Sequence, residues 1–209
     1  MFEDVADTGN EYIHMRPAND TTLTTRQLDA EAELLEDGPL RSRVRVVWSW
    51  RLPQEVDDAT ASRTRRTLPY RIESVFTLRK GQRHLEVETK LHNTAKDHRL
   101  RVLFPTGRAT DESIADAPFD IVRRPADMRT PNRGNQHPMQ TFCAARDTHA
   151  GLAVFSAGMP EFELLTENAT LALTLLRCVD LLGDLPPEHW NREQLVEDYV
   201  PEAQCLRPY

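Results

Sequence analysis

The chain has 209 residues, with 33 acidic and 26 basic side chains and a formal net charge of −7. Because a phosphate backbone attracts a basic protein surface, this acidic excess argues against a nucleic-acid partner. No run approaches the ~18 apolar residues of a membrane helix, and the acidic start MFEDVADTGNEY is unlike a secretory signal. We therefore expect a soluble globular protein with no membrane partner.

Alternation of apolar and polar residues predicts several strands in the first half of the chain. It begins at residues 40–52, where Trp48 and Trp50 share the predicted buried face. The same period of two returns at residues 68–78, 85–91 and 100–104. Four such segments in a row predict an antiparallel meander.

Two segments of the first half do not alternate. Residues 26–37 are rich in helix formers, follow the capping candidate Thr24 and precede Gly38-Pro39, which favours a helix. Residues 53–66 are polar and charged, as in an exposed loop.

The second half begins with a long loop-rich region at residues 105–138, broken by the short run 119–124. Strands are predicted after it at residues 141–145, 152–155, 162–165 and 171–179. The tail of residues 185–209 has no strand pattern, and a short helix is predicted after Pro187. Together these patterns predict an all-β chain, a large antiparallel β-sandwich formed as one domain over residues 1–209.

Cysteine and histidine usage gives no sign of a metal site. The three cysteines, Cys143, Cys178 and Cys205, are widely spaced, so we expect neither a disulfide framework nor a thiolate zinc site, and a reducing, cytoplasmic setting. The seven histidines are not paired at ligand spacing. We expect no metal and no cofactor in this chain.

Two other patterns have competing interpretations. The triplet Asp7-Thr8-Gly9 matches the aspartic-protease signature, but that chemistry needs two facing loops and only one copy occurs, so a polar turn is favoured. Residues 111–133 concentrate carboxylates and guanidinium groups, which suit sugar hydroxyls and equally suit a solvated loop laced with salt bridges.

A resemblance emerges from seven short strings that occur in order along nearly the whole chain. They are DTGNEY (7–12), GPLR (38–41), FDIVRRP (119–125), PMQTF (138–142), GLAVFSAGMPE (151–161), LALTLLRCV (171–179) and EAQC (202–205). Together they resemble the C-terminal β-domain of the α-mannosidases of glycoside hydrolase family 38. The similarity is greatest to the bacterial branch that includes mannosylglycerate hydrolases.

The resemblance implies a galactose-mutarotase-like supersandwich that works with the protein's own N-terminal catalytic domain on an α-mannoside. In that family the catalytic domain holds zinc and carries out a retaining hydrolysis. This chain has no HxD motif. It therefore resembles an excised β-domain that has no catalytic residue of its own and is inactive alone.

The family's β-domain also lends a Tyr and an Arg to the sugar pocket. The matching positions are Tyr12 and one of Arg123 and Arg124, and Asn10 stands where bacterial relatives often have Asp. If Arg123 and Arg124 lie in an extended segment, one of them must point away from the site. Two rival functions remain, a stand-alone carbohydrate-binding or interaction module, and an aldose epimerase that would use His137 and Glu161.

Overall fold

The computed structural model describes residues 1–57, 59–107, 110, 112–126, 135–182 and 200–209. These residues contain sixteen β-strands and three short 3-10 turns, with no α-helix among them. The strands are β1 (Phe2–Ala6), β2 (Leu23–Thr24), β3 (Ala30–Asp37), β4 (Arg41–Pro53), β5 (Val56–Asp57), β6 (Ser62–Arg63), β7 (Thr67–Arg79), β8 (Leu85–Leu91), β9 (His98–Pro105), β10 (Glu112–Ala117), β11 (Asp120–Pro125), β12 (Gln136–Pro138), β13 (Phe142–Arg146), β14 (Gly151–Phe155), β15 (Glu161–Leu165) and β16 (Thr170–Cys178). The 3-10 turns are Thr25–Gln27, Thr166–Asn168 and Pro201–Gln204.

The first antiparallel sheet has the order β3-β4-β7-β8, built around the long ladder between β4 and β7. Its last three strands confirm the meander predicted from residues 40–91. Residues 100–104 form a strand as predicted, but their place in the meander was wrong, because β9 leaves this sheet and pairs with β1 and β16. Alternation predicts that a strand has one buried face, but it does not specify which sheet the strand joins.

The helix predicted over residues 26–37 is wrong, because most of this segment forms the edge strand β3. Glu33 lies 2.6 Å from Arg45, and Glu36 lies 2.6 Å from Arg41, both across the ladder with β4. Opposite charges that face one another across a ladder stabilise the pairing. These partners on β4 override the helix propensity of the local sequence.

The second sheet is six-stranded, in the order β12-β15-β16-β9-β1-β2. The strand predicted at residues 171–179 is confirmed as β16. β1 was not predicted, because its acidic residues Glu3 and Asp4 are buried beside its apolar ones. Asp4 Oδ2 lies 2.5 Å from His98 Nδ1, a partner on β9 that the local sequence does not reveal.

The third sheet has the order β11-β10-β13-β14. Its β10–β11 hairpin falls in residues 105–138, so the prediction of a loop there was wrong at 112–117, while the short run 119–124 that breaks the predicted loop corresponds to β11. The hairpin turns at Phe119, whose φ of 69° is left-handed. Small and acidic residues in β10 hide its alternation from sequence analysis.

The two four-stranded sheets pack on one face of the six-stranded sheet. Ala115 and Cys143 of the third sheet share a buried cluster with Phe162 and Leu173, while Trp50 and Ile72 of the first sheet share another with Phe2 and Leu100. Phe162 pairs with Leu173, Leu173 with Val102, and Val102 with Phe2 across adjacent strands. Because paired residues share a face of the sheet, both clusters lie on the same face. The result is a two-layered, all-β architecture.

Trp48, predicted to lie on the buried face of its strand, packs against the core but is only half-buried. Its ring meets the Phe2 ring edge-to-face, with 5.2 Å between centroids. Trp50, the next residue on the same face, is buried as predicted. Burial on this face therefore becomes complete only toward the end of β4.

Residues 200–209 form a segment that we call the C-terminal strap. Leu91 and Tyr209 exchange two backbone hydrogen bonds of 2.9 and 2.7 Å, which seats the strap beside the end of β8. Gln204 is buried and its Oε1 accepts a hydrogen bond from the Asp97 N–H at 2.8 Å. The helix predicted after Pro187 lies outside the described residues. Within the described part of the chain, no helix has the length and apolar character needed to cross a membrane.

Candidate functional site

The 7–15 loop, which follows β1, is closed by a buried carboxylate. One Asp7 oxygen accepts hydrogen bonds from the N–H groups of Gly9 at 3.0 Å and Met15 at 3.3 Å. The other oxygen accepts from Arg177 Nε of β16 at 2.8 Å, and the Asp7 side chain is completely buried. Because both oxygens are engaged inside the protein, Asp7 is a structural anchor, which argues against the protease interpretation.

Asn10, a predicted substrate contact, is buried within this loop. Its Oδ1 accepts hydrogen bonds from the N–H groups of Tyr12 at 3.0 Å and Ile13 at 2.8 Å. Its carbonyl oxygen accepts from Arg177 at 2.8 Å. The side chain therefore organises the turn that presents Tyr12, and a substrate contact by Asn10 stays a prediction.

Tyr12 is presented on a rigid backbone. Gly9 permits this close-packed turn, since a Cβ there would lie 1.7 Å from the Ile13 carbonyl oxygen. The Tyr12 side chain is 72% exposed. The loop thus holds an accessible phenol on a fixed main chain, the arrangement expected of a residue that contacts a partner or ligand.

The outer face of the six-stranded sheet carries a charged stripe beside the 7–15 loop. Arg101 lies 2.5 Å from both Glu3 and Glu163, and Arg99 lies 3.7 Å from Glu161. Burial, reinforced by the charge of Arg101, lowers the pKa of Arg99 to about 10, so this guanidinium still carries its charge at neutral pH. Three acidic and two basic groups thus lie together on this face, with Glu3 and both guanidinium groups buried from solvent.

Arg123 and Arg124 lie on opposite faces of β11, as the alternation of an extended strand requires. Arg123 is exposed, and its Nη1 donates to Glu112 Oε1 at 2.5 Å. Arg124 faces the packed layer opposite Ser113 of β10. Only one of the two arginines can therefore serve a given site.

Buried polar atoms without hydrogen-bond partners in the described structure occur on β10, on β11 and just before β12. Arg124 Nη1, Ser113 Oγ and Asn135 Oδ1 are buried atoms with no hydrogen-bond partner in the described structure. Burial and the charge of Arg124 both lower the pKa of His137 on β12, which shows that His137 lies near Arg124. Unpaired buried donors and acceptors are costly, so this group is a candidate for contact with a polar ligand.

The structure does not bring Tyr12 and the arginines together into one contact. Tyr12 follows β1 of the six-stranded sheet, whereas Arg124 lies at the outer strand of the third sheet. No hydrogen bond or ion pair between described residues joins Tyr12 to Arg123 or Arg124. Their roles as sugar contacts stay predictions.

The pair required by the epimerase alternative does not converge. His137 stands opposite Phe162 in the ladder between β12 and β15, and its ring lies 6.0 Å from that of Phe162. Glu161 precedes Phe162 and therefore points to the other face, where it accepts a 2.6 Å hydrogen bond from Thr174 Oγ1. The two groups cannot act on one anomeric carbon.

Two of the histidines are engaged in the protein interior. His14 Nε2 lies 3.1 Å from the Ala6 carbonyl oxygen, and burial with the charge of Arg99 lowers its pKa far below the usual range. His98 bridges Asp4 and Asn93 at 2.5 and 2.9 Å. In the described part of the chain, no three His, Cys, Asp or Glu side chains are grouped as a metal site would require.

Sequence reasoning missed Arg177, Ser113 and Asn135. Arg177 lies 170 residues from Asp7, so only the fold shows that it closes the 7–15 loop. Ser113 and Asn135 fell in a region read as loop. For Ser113, the alternation of Ser113, Ala115 and Ala117 with longer side chains was a weak signal of a strand.

Comparison with known proteins supplies the family. The model described as "Glycosyl hydrolases family 38 C-terminal domain" matches residues 1–180. A "Putative mannosylglycerate hydrolase" of Halalkalibacterium halodurans is 32% identical over 222 residues, covering 99% of this chain and 23% of the relative.

Two solved structures from Enterococcus faecalis are similar over the whole chain. One, described as an alpha-mannosidase, shows 32% identity and a TM-score of 0.89, with 100% of this chain and 24% of that chain covered. The other, described as a protein in the glycosyl hydrolase family 38, shows 33% identity and a TM-score of 0.87, with coverage of 100% and 25%. The chain thus spans about a quarter of the length of these relatives. With the family match, the fold and the quoted motifs in agreement, the chain belongs to glycosyl hydrolase family 38, as its C-terminal domain.

Proposed function

We propose that this chain is the β-sandwich part of a retaining α-mannosidase, serving as scaffold and as one wall of the sugar pocket. Family membership supports this, as do the descriptions of the relatives as alpha-mannosidase and mannosylglycerate hydrolase. The bond-breaking chemistry falls to a catalytic domain of the same protein, the partner in this proposal. The two-layered architecture supports a galactose-mutarotase-like supersandwich, and three free cysteines support a reducing, cytoplasmic setting.

In this proposal, the zinc of the family is held by the catalytic domain and not by this chain. The described residues offer no group of three ligand side chains, and the buried histidines already have protein partners. A zinc ion in the full enzyme would belong to the catalytic domain. The role of this chain is to bind and orient the sugar.

The observation that carries the proposal is the exposed phenol of Tyr12 on the locked 7–15 loop. Asp7 and Arg177 fix both ends of that loop by hydrogen bonds of 2.8 to 3.3 Å. A phenol donates and accepts hydrogen bonds, so it can bind a sugar hydroxyl either as the donor or as the acceptor. Little ordering entropy is lost on binding, because the backbone is already fixed.

Arg124 is the better candidate of the two arginines. Arg123 is engaged with Glu112, whereas Arg124 has a buried N–H group without a partner. β11 and β12 are edge strands of their sheets, and the charge of Arg124 acts on His137, so these two side chains lie near each other at the margins of their sheets. A guanidinium fork there could bind two neighbouring hydroxyl groups in one plane.

The test uses the full-length protein that contains this chain and an aryl α-mannoside. Tyr12→Phe removes one neutral hydrogen bond and should lower kcat/KM about 2- to 10-fold, while Arg124→Gln removes a charged donor and should lower it about 10- to 100-fold. Arg123→Gln is the matched control on the same strand and should leave kcat/KM unchanged. Normal kinetics in both test variants would exclude these side chains from the pocket.

The isolated chain separates the remaining alternatives. It should not hydrolyse the mannoside, and hydrolysis by the chain itself would overturn the assignment of chemistry to another domain. Calorimetric titration with mannose should show no measurable affinity. Saturable binding to the isolated chain would favour the stand-alone carbohydrate-binding module.

A further inference from the structure

The C-terminal strap brings two cysteines together. Cys178, the last residue of β16, is fully buried. Cys205 follows the 3-10 turn Pro201–Gln204 and is half-buried. The strap packs against β16 at this point, and the two thiol groups lie near enough for each to shift the pKa of the other.

Contacts from several chain segments hold this pair in place. Asn93 Nδ2 lies 3.2 Å from Cys178 Sγ and 3.0 Å from the Gln204 carbonyl oxygen, so one amide group spans both cysteine segments. Gln204 is fixed in turn by two hydrogen bonds with Asp97, of 2.8 and 2.7 Å. Cys205 itself adopts a left-handed conformation with φ of 56°. The encounter of the two sulfurs is therefore built into the fold.

Electrostatics assign different roles to the two sulfurs. The hydrogen bond from Cys178 lowers the pKa of Cys205, and hydrogen bonding from Tyr209 with the charge of Arg207 adds to the effect, although burial opposes it. The same hydrogen bond, together with burial, raises the pKa of Cys178. Cys205 thus holds the thiolate and Cys178 the proton. A half-exposed thiolate beside a second thiol is the arrangement of an oxidisable pair.

We propose that Cys205 is a site of modification by hydrogen peroxide and that Cys178 resolves the product to an internal disulfide. The Cys205 thiolate attacks one peroxide oxygen, the O–O bond breaks, and Cys205 becomes a sulfenic acid while the departing hydroxide takes a proton to form water. Cys178 then attacks the sulfenic sulfur, an S–S bond forms, and the S–O bond breaks with loss of a second water. Two thiols are oxidised by two electrons, and one peroxide is reduced to two waters.

Cys143 provides a control within the same chain. It is fully buried in β13, and burial together with the charge of Asp116 raises the pKa of Cys143 to about 12. A buried, protonated thiol is inert toward peroxide. The three cysteines should therefore differ sharply in reactivity.

The experiment treats the reduced chain with a small excess of hydrogen peroxide, then alkylates it under denaturing conditions and maps the peptides by mass spectrometry. Two of the three thiols should be lost, and one peptide pair should join residues 178 and 205. Before oxidation, alkylation of Cys205 by iodoacetamide should be nearly independent of pH between about 6 and 8. An ordinary thiol gains about tenfold in rate per pH unit below its pKa of about 8.5.

Three variants make the test decisive. Cys143→Ser should behave like the parent, Cys205→Ser should form no disulfide, and Cys178→Ser should accumulate a sulfenic acid on Cys205 that dimedone traps. Melting curves verify that each variant is folded, and Cys205→Ser alters only a half-exposed position. A disulfide that includes Cys143, covalent dimers in place of the internal bond, or the pH profile of an ordinary thiol at Cys205 would each overturn the proposal.

Discussion

Arg177→Gln tests whether the buried ion pair with Asp7 holds the 7–15 loop in place. Arg177 donates three hydrogen bonds into this loop, of 2.8, 3.2 and 2.8 Å, to Asp7 Oδ2 and to the carbonyl oxygens of Glu11 and Asn10. Its side chain is 13% exposed and that of Asp7 is 0% exposed. The substitution leaves a buried carboxylate without its counter-charge.

The expected loss of stability follows from that burial. Removing one partner of a buried ion pair costs about 3 to 5 kcal/mol. Asp7 keeps its hydrogen bonds from Gly9 and Met15, so we expect the lower end of that range. For a chain of this size, about 3 kcal/mol corresponds to a fall in Tm of roughly 6 to 12 °C.

The assay is urea and thermal unfolding of the isolated chain, with Arg123→Gln as the control. Arg123 and Glu112 are 54% and 35% exposed, so breaking their pair should cost less than about 1 kcal/mol. The double variant Asp7→Asn with Arg177→Gln should recover part of the loss, because a neutral amide needs no counter-charge. Equal effects of Arg177→Gln and Arg123→Gln would refute the reasoning.

Two further substitutions test other parts of the fold. Partial desolvation raises the pKa of Asp116, but hydrogen bonds donated by the hydroxyl and N–H of Thr141 and by neighbouring N–H groups outweigh it and leave the pKa well below its usual value. A depressed folded pKa means that the carboxylate stabilises the fold above its unfolded value of about 3.9 and that this stability is lost as the pH falls. Asp116→Asn should therefore lower Tm at neutral pH, and between about pH 5 and pH 3 the Tm of the variant should fall less steeply than that of the parent. Parallel plots of Tm against pH for the variant and the parent would contradict this. Gly9→Ala places a Cβ 1.7 Å from the Ile13 carbonyl oxygen, whereas in the control Gly38→Ala the nearest atom is 3.3 Å away. Gly9→Ala should lower the free energy of unfolding in urea by about 1 to 3 kcal/mol and should lower mannoside turnover by the full-length protein. Gly38→Ala should have a much smaller effect on both. Equal tolerance of the two substitutions would show that the turn can open freely.

The success of sequence analysis depended on whether a segment's partners lie nearby in the chain. Strands β4, β7 and β8 show clear alternation and pair with their neighbours in sequence, so both their existence and their order were predictable. β3 was assigned as a helix because its glutamates favour one locally, and only the facing arginines of β4 make it a strand. β1 has no alternation to read, since Glu3 and Asp4 are buried against Arg101 and His98.

For the candidate site too, sequence analysis could not predict contacts between residues that lie far apart in the chain. The alternation of Arg123 and Arg124 was predictable from strand geometry alone. The role of Asn10 in shaping its turn was not, because Arg177 reaches it from β16, 167 residues away along the chain. The unpartnered oxygen of Ser113 likewise becomes visible only when β10 and β11 are placed side by side.

The placement of β1 between β9 and β2 has a consequence for synthesis on the ribosome. Glu3 is separated from its partner Arg101 by 98 residues, and Asn93 from Gln204 by 111. At a translation rate of about 5 to 20 residues per second, β1 waits roughly 5 to 20 seconds for β9 to emerge. Such non-local pairing gives a high contact order and slow folding. The nascent chain therefore carries β1, with at most the two residues of β2 paired to it, for seconds, and we expect it to be a client for chaperones that bind exposed strands.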